Sequence, residues 1–325
     1  MPGSELRAPQ QEAMSPPRRV LVTGATGLLG RAVCREFEGG GWAVIGTGFR
    51  RAKPRLLRCD ITDEDAVRAL LQEYRPDVVV HCAAERRPDV MEHHSEAAVH
   101  LNVHATSTLA KEAAAGGALL LYISSDYVFD GRNPPYGEDD SPSPLNLYGR
   151  SKLEGERETL RHCPGGLVLR VPVLYGQVQS VGESAVTSLW ETLQTGEDRG
   201  LDHLMKRHPT HTEDVAAVCR KICERAREDP SVRGVFHFSA KEQMTKYEMA
   251  VCIAEAFNLP TGHLIPLTEQ PPPQQFALRP MNSQLSCCRL EQLNLSVEPR
   301  PFRAAVQTCL WPFTPDKLWR QTVFH

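Results

Sequence analysis

The chain has 325 residues, 41% of them hydrophobic and 24% charged, a composition that suits a folded protein of one large domain or two modest ones. Its 37 Lys and Arg against 40 Asp and Glu leave a net charge of −3, which argues against a main role in coating nucleic acid or an anionic membrane. No apolar run reaches the roughly 18–20 residues of a membrane helix, and the start lacks the apolar stretch of a secretory signal. The expectation is a cytoplasmic protein, with nuclear presence also compatible, whose ten cysteines stay free thiols.

Residues 1–17 are rich in Pro, Gln, Ser and Glu and read as a disordered tail, too polar to bury. From Arg18 onward, short β-branched runs alternate with helical stretches. Strands are expected at 19–23, 43–47, 78–82, 119–124 and 167–171, and helices at 29–38, 63–74, 95–115 and 146–161. Thr62 with Asp65 reads as a capping box for the second helix. Beyond Gly176 the alternation weakens to a helix at 212–227, a strand at 235–239 and a helix at 245–257, followed by the proline bend 271–273. Strand–helix alternation predicts an α/β fold, a doubly wound Rossmann-type parallel sheet with a smaller α+β C-terminal lobe. The domains expected are 18–176, 177–309 with a strand near 235–239 returning to the first sheet, and a tail at 310–325.

The first strand runs into Thr23-Gly24-Ala25-Thr26-Gly27-Leu28-Leu29-Gly30 and then a helix. Gly24 permits the tight turn, Gly27 lets backbone approach a pyrophosphate, and Gly30 lets the helix pack on the strand. The amides of Thr26 to Leu29 form a helix N-terminus suited to an anion. The second strand ends in Phe49-Arg50-Arg51, with no carboxylate there for a ribose 2′-hydroxyl. Two guanidinium groups would instead pair with a 2′-phosphate, so NADP(H) is the cofactor expected.

Tyr148 and Lys152 are spaced to share one helix face. An ammonium beside a phenol favours the phenolate, so the pair suits acid–base work. A hydrophobic strand ending Ser124-Ser125-Asp126 precedes it and could bring a serine hydroxyl to the phenol.

Cradle, serine and Tyr–Lys pair in that order resemble the extended short-chain dehydrogenases/reductases, and within them the dTDP-4-dehydrorhamnose reductase branch. The segments that carry this are TGATGLLG (23–30), CDITD (59–63), VHCAA (80–84), YISSDYVFDG (122–131), PLNLYGRSKLEGE (144–156), LRVPVLYG (169–176) and RPMNSQL (279–285). Within the branch, HCAAERRPDV (81–90), KEQMTKYEMA (241–250) and LWRQTVFH (318–325) are similar to the family of regulatory beta subunits of methionine adenosyltransferase.

The resemblance implies that Thr26 to Leu29 hold the pyrophosphate, Phe49, Arg50 and Arg51 the 2′-phosphate end, and Asp60 and Ile61 the adenine. It places Cys82 and Arg86 beside the cofactor, Tyr148 and Lys152 at the nicotinamide ribose, and Leu174 at the nicotinamide edge. Ser125, Tyr148 and Lys152 stand where the reductases carry their catalytic triad. Two departures point away from sugar turnover. The loop Glu85-Arg86-Arg87-Pro88 is bulky and basic, and the end from Trp311 to His325 extends past the bacterial reductases. The function implied is a non-catalytic regulatory subunit that binds NADP(H) and modulates the methionine adenosyltransferase catalytic subunit. Its tail would make the contact through Trp311, Phe313, Trp319, Arg320, Val323, Phe324 and His325, aromatics and arginine being the usual anchors of an interface. The alternative is an NADPH-dependent nucleotide-sugar reductase in which Tyr148 supplies the proton. No metal site is expected: Cys219 and Cys223 share a helix face but have no second ligand pair nearby in sequence.

Overall fold

The computed structural model describes residues 17–52, 55–93, 95–269 and 277–314. The first half runs β1 (Arg19–Thr23), α1 (Leu28–Gly39), β2 (Ala43–Gly48), β3 (Leu57–Arg58), α2 (Glu64–Tyr74), β4 (Val78–His81), α3 (Pro88–His93) and α4 (Ser95–Val99). A π-helical turn, His100–His104, leads into α5 (Ala105–Ala115), then β5 (Leu119–Ser125), the 3-10 turn Asp126–Val128, α6 (Leu147–His162) and β6 (Leu167–Val171). After these come β7 (Leu174–Tyr175), the 3-10 turn Val181–Glu183, α7 (Leu189–Thr195), β8 (Arg199–Asp202), β9 (Thr210–His211), α8 (Thr212–Glu228) and β10 (Gly234–His237). The chain continues through α9 (Lys246–Ala256), β11 (Leu264–Leu267), α10 (Cys288–Gln292) and α11 (Phe302–Leu310) to the 3-10 turn Trp311–Phe313.

Seven strands form one sheet in the order β10-β6-β5-β4-β1-β2-β3, and every pairing in it is parallel. Such strands are covered on both faces, which is why 78–81 reads VVVH, apolar up to His81, with all four residues buried. One face packs on α1 and α8 through Val33, Phe37, Val218 and Ile222. The other packs on α2 and α5 through Val67, Leu71, Leu109 and Ala113. The chain leaves β1 toward β2 and β3 and returns to β4 on the opposite side, so strand order reverses between β1 and β4. Ligands of open α/β sheets bind at such a reversal, outside the carboxyl ends of the strands. A separate apolar cluster joins α7, α9 and α11 through Trp190, Ile253, Phe302 and Leu310, beside the two-stranded pairings β8–β11 and β7–β9. The expected return strand is present as β10, beside β6.

Two local expectations are corrected. The single helix expected over 95–115 is split by the π-helical turn, whose extra residue per turn lets Asn102 point inward; its amide binds the Glu85 carbonyl at 3.0 Å and the Ser151 hydroxyl at 3.1 Å. The Thr62–Asp65 capping box does not form. Asp63 caps α2 instead, accepting from the amides of Asp65 and Ala66, while the Thr62 hydroxyl donates to Asp60 at 2.7 Å. An aspartate in the N-cap position leaves Thr62 nothing to cap. A full capping box does occur at α9, between Thr245 and Glu248. All ten cysteines are free, and no helix among the described residues is long and apolar enough to cross a membrane. The proline bend 271–273 lies outside the described residues.

Candidate functional site

At the β1–α1 turn, Gly24 has φ +65, and a Cβ there would lie 2.8 Å from the Ala83 backbone nitrogen. A Cβ on Gly30 would lie 2.2 Å from the Gly24 carbonyl oxygen, so the first turn of α1 sits directly on the loop. Gly27 is the N-cap and offers no capping side chain. The first-turn amides around Leu28 and Leu29 therefore face outward with the positive end of the helix dipole behind them. Beneath the loop, the Thr23 hydroxyl is 2.7 Å from His81 Nδ1 and accepts from the Ala83 amide. Burial holds His81 neutral, its pKa pushed down to about 3. Glycine geometry, bare amides and a rigid support fit a pyrophosphate.

Tyr148 and Lys152 apart, the other residues expected at the cofactor follow the ends of β2, β3, β4 and β6. Phe49 and Arg51 lie exposed past β2, with the Arg58 guanidinium 5.9 Å from the Phe49 ring centroid. Arg50 precedes Arg51 on the same exposed turn. Asp60 is half-buried, accepting from the Thr62 amide and hydroxyl, and Ile61 is buried. Cys82 follows β4, its thiol pushed well up by burial. The Leu174 carbonyl accepts from the Ser184 hydroxyl at 2.7 Å. Arg86 reaches across to donate to the backbone carbonyl of Glu183.

Ser125 ends β5 and Tyr148 lies in the first turn of α6, which Asn146 starts by capping the Gly149 amide. The Ser125 hydroxyl lies close enough to the Tyr148 phenol to lower its pKa, so these two expected partners do meet. Lys152, one turn further on, packs on an aromatic ring. Its Nζ lies 4.2 Å from the centroid of the Tyr122 ring, and the groups acting on its charge are Glu156 and Cys82. Burial pulls its pKa down to about 7. Burial also pushes Tyr148 above its ordinary value, and the cation that opposes this most strongly is Arg86 rather than Lys152. Burial thus favours the neutral phenol.

Several residues that the sequence reading passed over complete the site. Glu156, one turn beyond Lys152, makes a two-point ion pair with Arg170 at 2.8 and 2.7 Å and accepts from Ser124 at 2.5 Å. Asp126 accepts from Ser125 at 3.0 Å and from Ser283 at 2.5 Å, which ties the site to the chain beyond β11. Glu156 was visible as the next rung of the Tyr148, Lys152 ladder, and Asp126 as the neighbour of Ser125. Glu183 and Asn102 carried no local signal, because their partners are remote in sequence.

Of the expected partner-binding residues, Trp311 is 53% exposed and Phe313 is half-buried against the α7–α9–α11 cluster. Trp319, Arg320, Val323, Phe324 and His325 lie outside the described residues. Cys219 and Cys223 are buried in the core, and no cluster of three or more metal-ligating side chains occurs among the described residues.

A family model described as the RmlD substrate binding domain matches residues 18–314. The chain is 63% identical to methionine adenosyltransferase 2 subunit beta of Danio rerio, over all of both chains. It is 28% identical to a dTDP-4-dehydrorhamnose reductase of Aggregatibacter actinomycetemcomitans, over 89% of this chain and 97% of the other. Among solved structures it is similar to a dTDP-4-dehydrorhamnose reductase from Bacillus anthracis in complex with NADP, with a TM-score of 0.79 and 26% identity over 92% of this chain and 99% of that one.

Proposed function

Since this chain belongs to the methionine adenosyltransferase 2 subunit beta family, within the wider RmlD substrate binding domain family, we propose that it is a non-catalytic regulatory subunit of methionine adenosyltransferase that binds NADP(H). The observation that carries this reading is full-length identity of 63% to a protein named as that subunit, against 28% to a named reductase. In this reading residues 18–176 form the dinucleotide-binding part, 177–309 the smaller lobe, and 310–325 a tail that grips the catalytic subunit, with Trp311 as its exposed first anchor.

The amides of Thr26 to Leu29 hold the pyrophosphate, with Gly24, Gly27 and Gly30 shaping the turn, and Phe49, Arg50 and Arg51 take the 2′-phosphorylated adenosine end. Asp60 and Ile61 border the adenine, Cys82 and Arg86 flank the middle of the dinucleotide, and Tyr148, Lys152 and Leu174 meet its nicotinamide end. When bound, the dinucleotide is a hydride carrier. Burial favours the neutral phenol of Tyr148, and the Lys152 ammonium packs on the Tyr122 ring. In this reading the role of the dinucleotide is structural linkage, since a ligand bound only by the folded chain stabilises it.

The test mixes the chain with the methionine adenosyltransferase catalytic subunit, follows S-adenosylmethionine synthesis, and separately follows NADPH absorbance with dTDP-4-keto sugars. Complex formation with an altered synthesis rate and no sugar-dependent NADPH loss is expected. Rapid NADPH oxidation abolished by Tyr148→Phe would establish the reductase instead.

A further inference from the structure

Three guanidinium groups from three separate strand–helix junctions converge on Glu183. Arg31, in the first turns of α1, donates to both of its carboxylate oxygens at 2.6 and 3.3 Å. Arg51, past β2, donates to Oε1 at 3.1 Å. Arg86, past β4, donates to the Glu183 carbonyl. Glu183 is itself well covered, its side chain 12% exposed, and its carboxyl is held below the usual range, chiefly by Arg31. The Gln179 amide also donates to it, and Arg31 in turn holds the Gln177 carbonyl. Segment 177–183 is thereby strapped to the cradle by the Glu183 carboxylate and by the Gln177 and Glu183 carbonyls.

The two carboxylate bonds differ in kind. The Arg31 contact is two-point and its guanidinium is 15% exposed, whereas Arg51 makes one contact and is 58% exposed. Arg51 is also one of the two arginines that the NADP(H) reading assigns to the 2′-phosphate. A phosphate dianion is the stronger partner for a guanidinium, and a carboxylate on the same guanidinium repels it.

We propose, building on the NADP(H) reading, that Glu183 is an internal competitor of the cofactor's 2′-phosphate for Arg51. Glu183 keeps Arg31 while the 2′-phosphate displaces it from Arg51, so the strap loosens for a 2′-phosphorylated dinucleotide alone. A dinucleotide with a free 2′-hydroxyl leaves the Arg51–Glu183 pair in place. Glu183 thus sets the margin by which the phosphorylated form is preferred.

The experiment is calorimetric titration of the full chain and of Glu183→Gln with NADPH and with NADH, each variant's melting temperature being recorded without nucleotide. Glu183→Gln is expected to bind NADPH about fivefold to tenfold more tightly and NADH within about twofold of wild type, since about 1.4 kcal/mol corresponds to tenfold. Against an Arg51→Gln background the NADPH gain should vanish, which holds the inference to account even where Glu183→Gln lowers the melting temperature. An unchanged NADPH-to-NADH ratio, or weaker NADPH binding, overturns the competitor role and makes Glu183 a supporting strut. A wild-type chain that binds neither nucleotide overturns the NADP(H) reading itself, and the inference with it.

Discussion

Lys152 stacks its ammonium on the face of Tyr122, 4.2 Å from the ring centroid. It sits on the same helix as Tyr148, four residues on, and packs against a side chain of β5. Glu156 lies a further turn along, and the groups that govern the lysine's charge are this carboxylate and burial.

That burial has a pH signature. The folded-state pKa of Lys152 is lowered to about 7 from an unfolded value of 10.5, so the folded chain disfavours the charged form. The penalty is complete below pH 7 and is relieved as pH rises toward 10.5. Wild type should therefore gain stability relative to Lys152→Met between pH 7 and 9, by up to about 1.4 kcal/mol per pH unit. Urea denaturation of both proteins across that range checks it; a difference independent of pH contradicts it.

The Glu156–Arg170 pair is almost fully covered, each side chain 4% exposed. Arg170→Met removes one partner and strands Glu156 among Ser124 and Lys152. A loss of about 3–5 kcal/mol is expected, the range for breaking a buried pair. Replacing both partners, as Glu156→Leu with Arg170→Met, should recover part of that loss. Guanidinium denaturation of the two variants measures both effects.

Gly30 has no room for a side chain. The Cβ of Gly30→Ala would meet the Gly24 carbonyl oxygen at 2.2 Å, and backbone cannot yield as a flexible side chain can. The variant should lose at least about 1–3 kcal/mol, as overpacking commonly costs, and lose the thermal shift given by NADP(H). A folded Gly30→Ala protein with an unaltered NADPH shift would contradict the cradle's geometry.

Asn102 anchors the loop after β4, accepting from the Glu85 amide at 2.9 Å and donating to its carbonyl. Asn102→Leu leaves these backbone groups and Ser151 without their partner, which costs about 1–3 kcal/mol per buried unpaired group. Hydrogen exchange should show faster amide exchange across 84–91 with β1 and β4 unchanged. Equal exchange in both proteins would show that the loop holds without Asn102.

The central strands were legible because parallel strands buried on both faces are rich in β-branched and other apolar residues; 19–23 and 167–171 match β1 and β6 residue for residue. The cradle was legible for a related reason, since three glycines at fixed spacing answer to local backbone demands. Short elements of the second lobe escaped. β8 and β11 are four residues each, and Arg199, Gly200, Ile265 and Leu267 are exposed, so no alternation marks them. The helix split at His100–His104 escaped because it depends on what Asn102 binds across the fold. The same holds for Lys152: helical spacing placed it beside Tyr148, and only tertiary packing turned it to Tyr122.

The central claim is that a reductase scaffold now grips another polypeptide through its C-terminal end. The most direct measurement is sedimentation of the methionine adenosyltransferase catalytic subunit with the full chain, and with a chain ending at residue 314 and carrying Trp311→Ala. The full chain should co-sediment, and the shortened variant should sediment alone while still showing an NADPH-induced rise in melting temperature. Co-sedimentation of both to the same extent would contradict the claim.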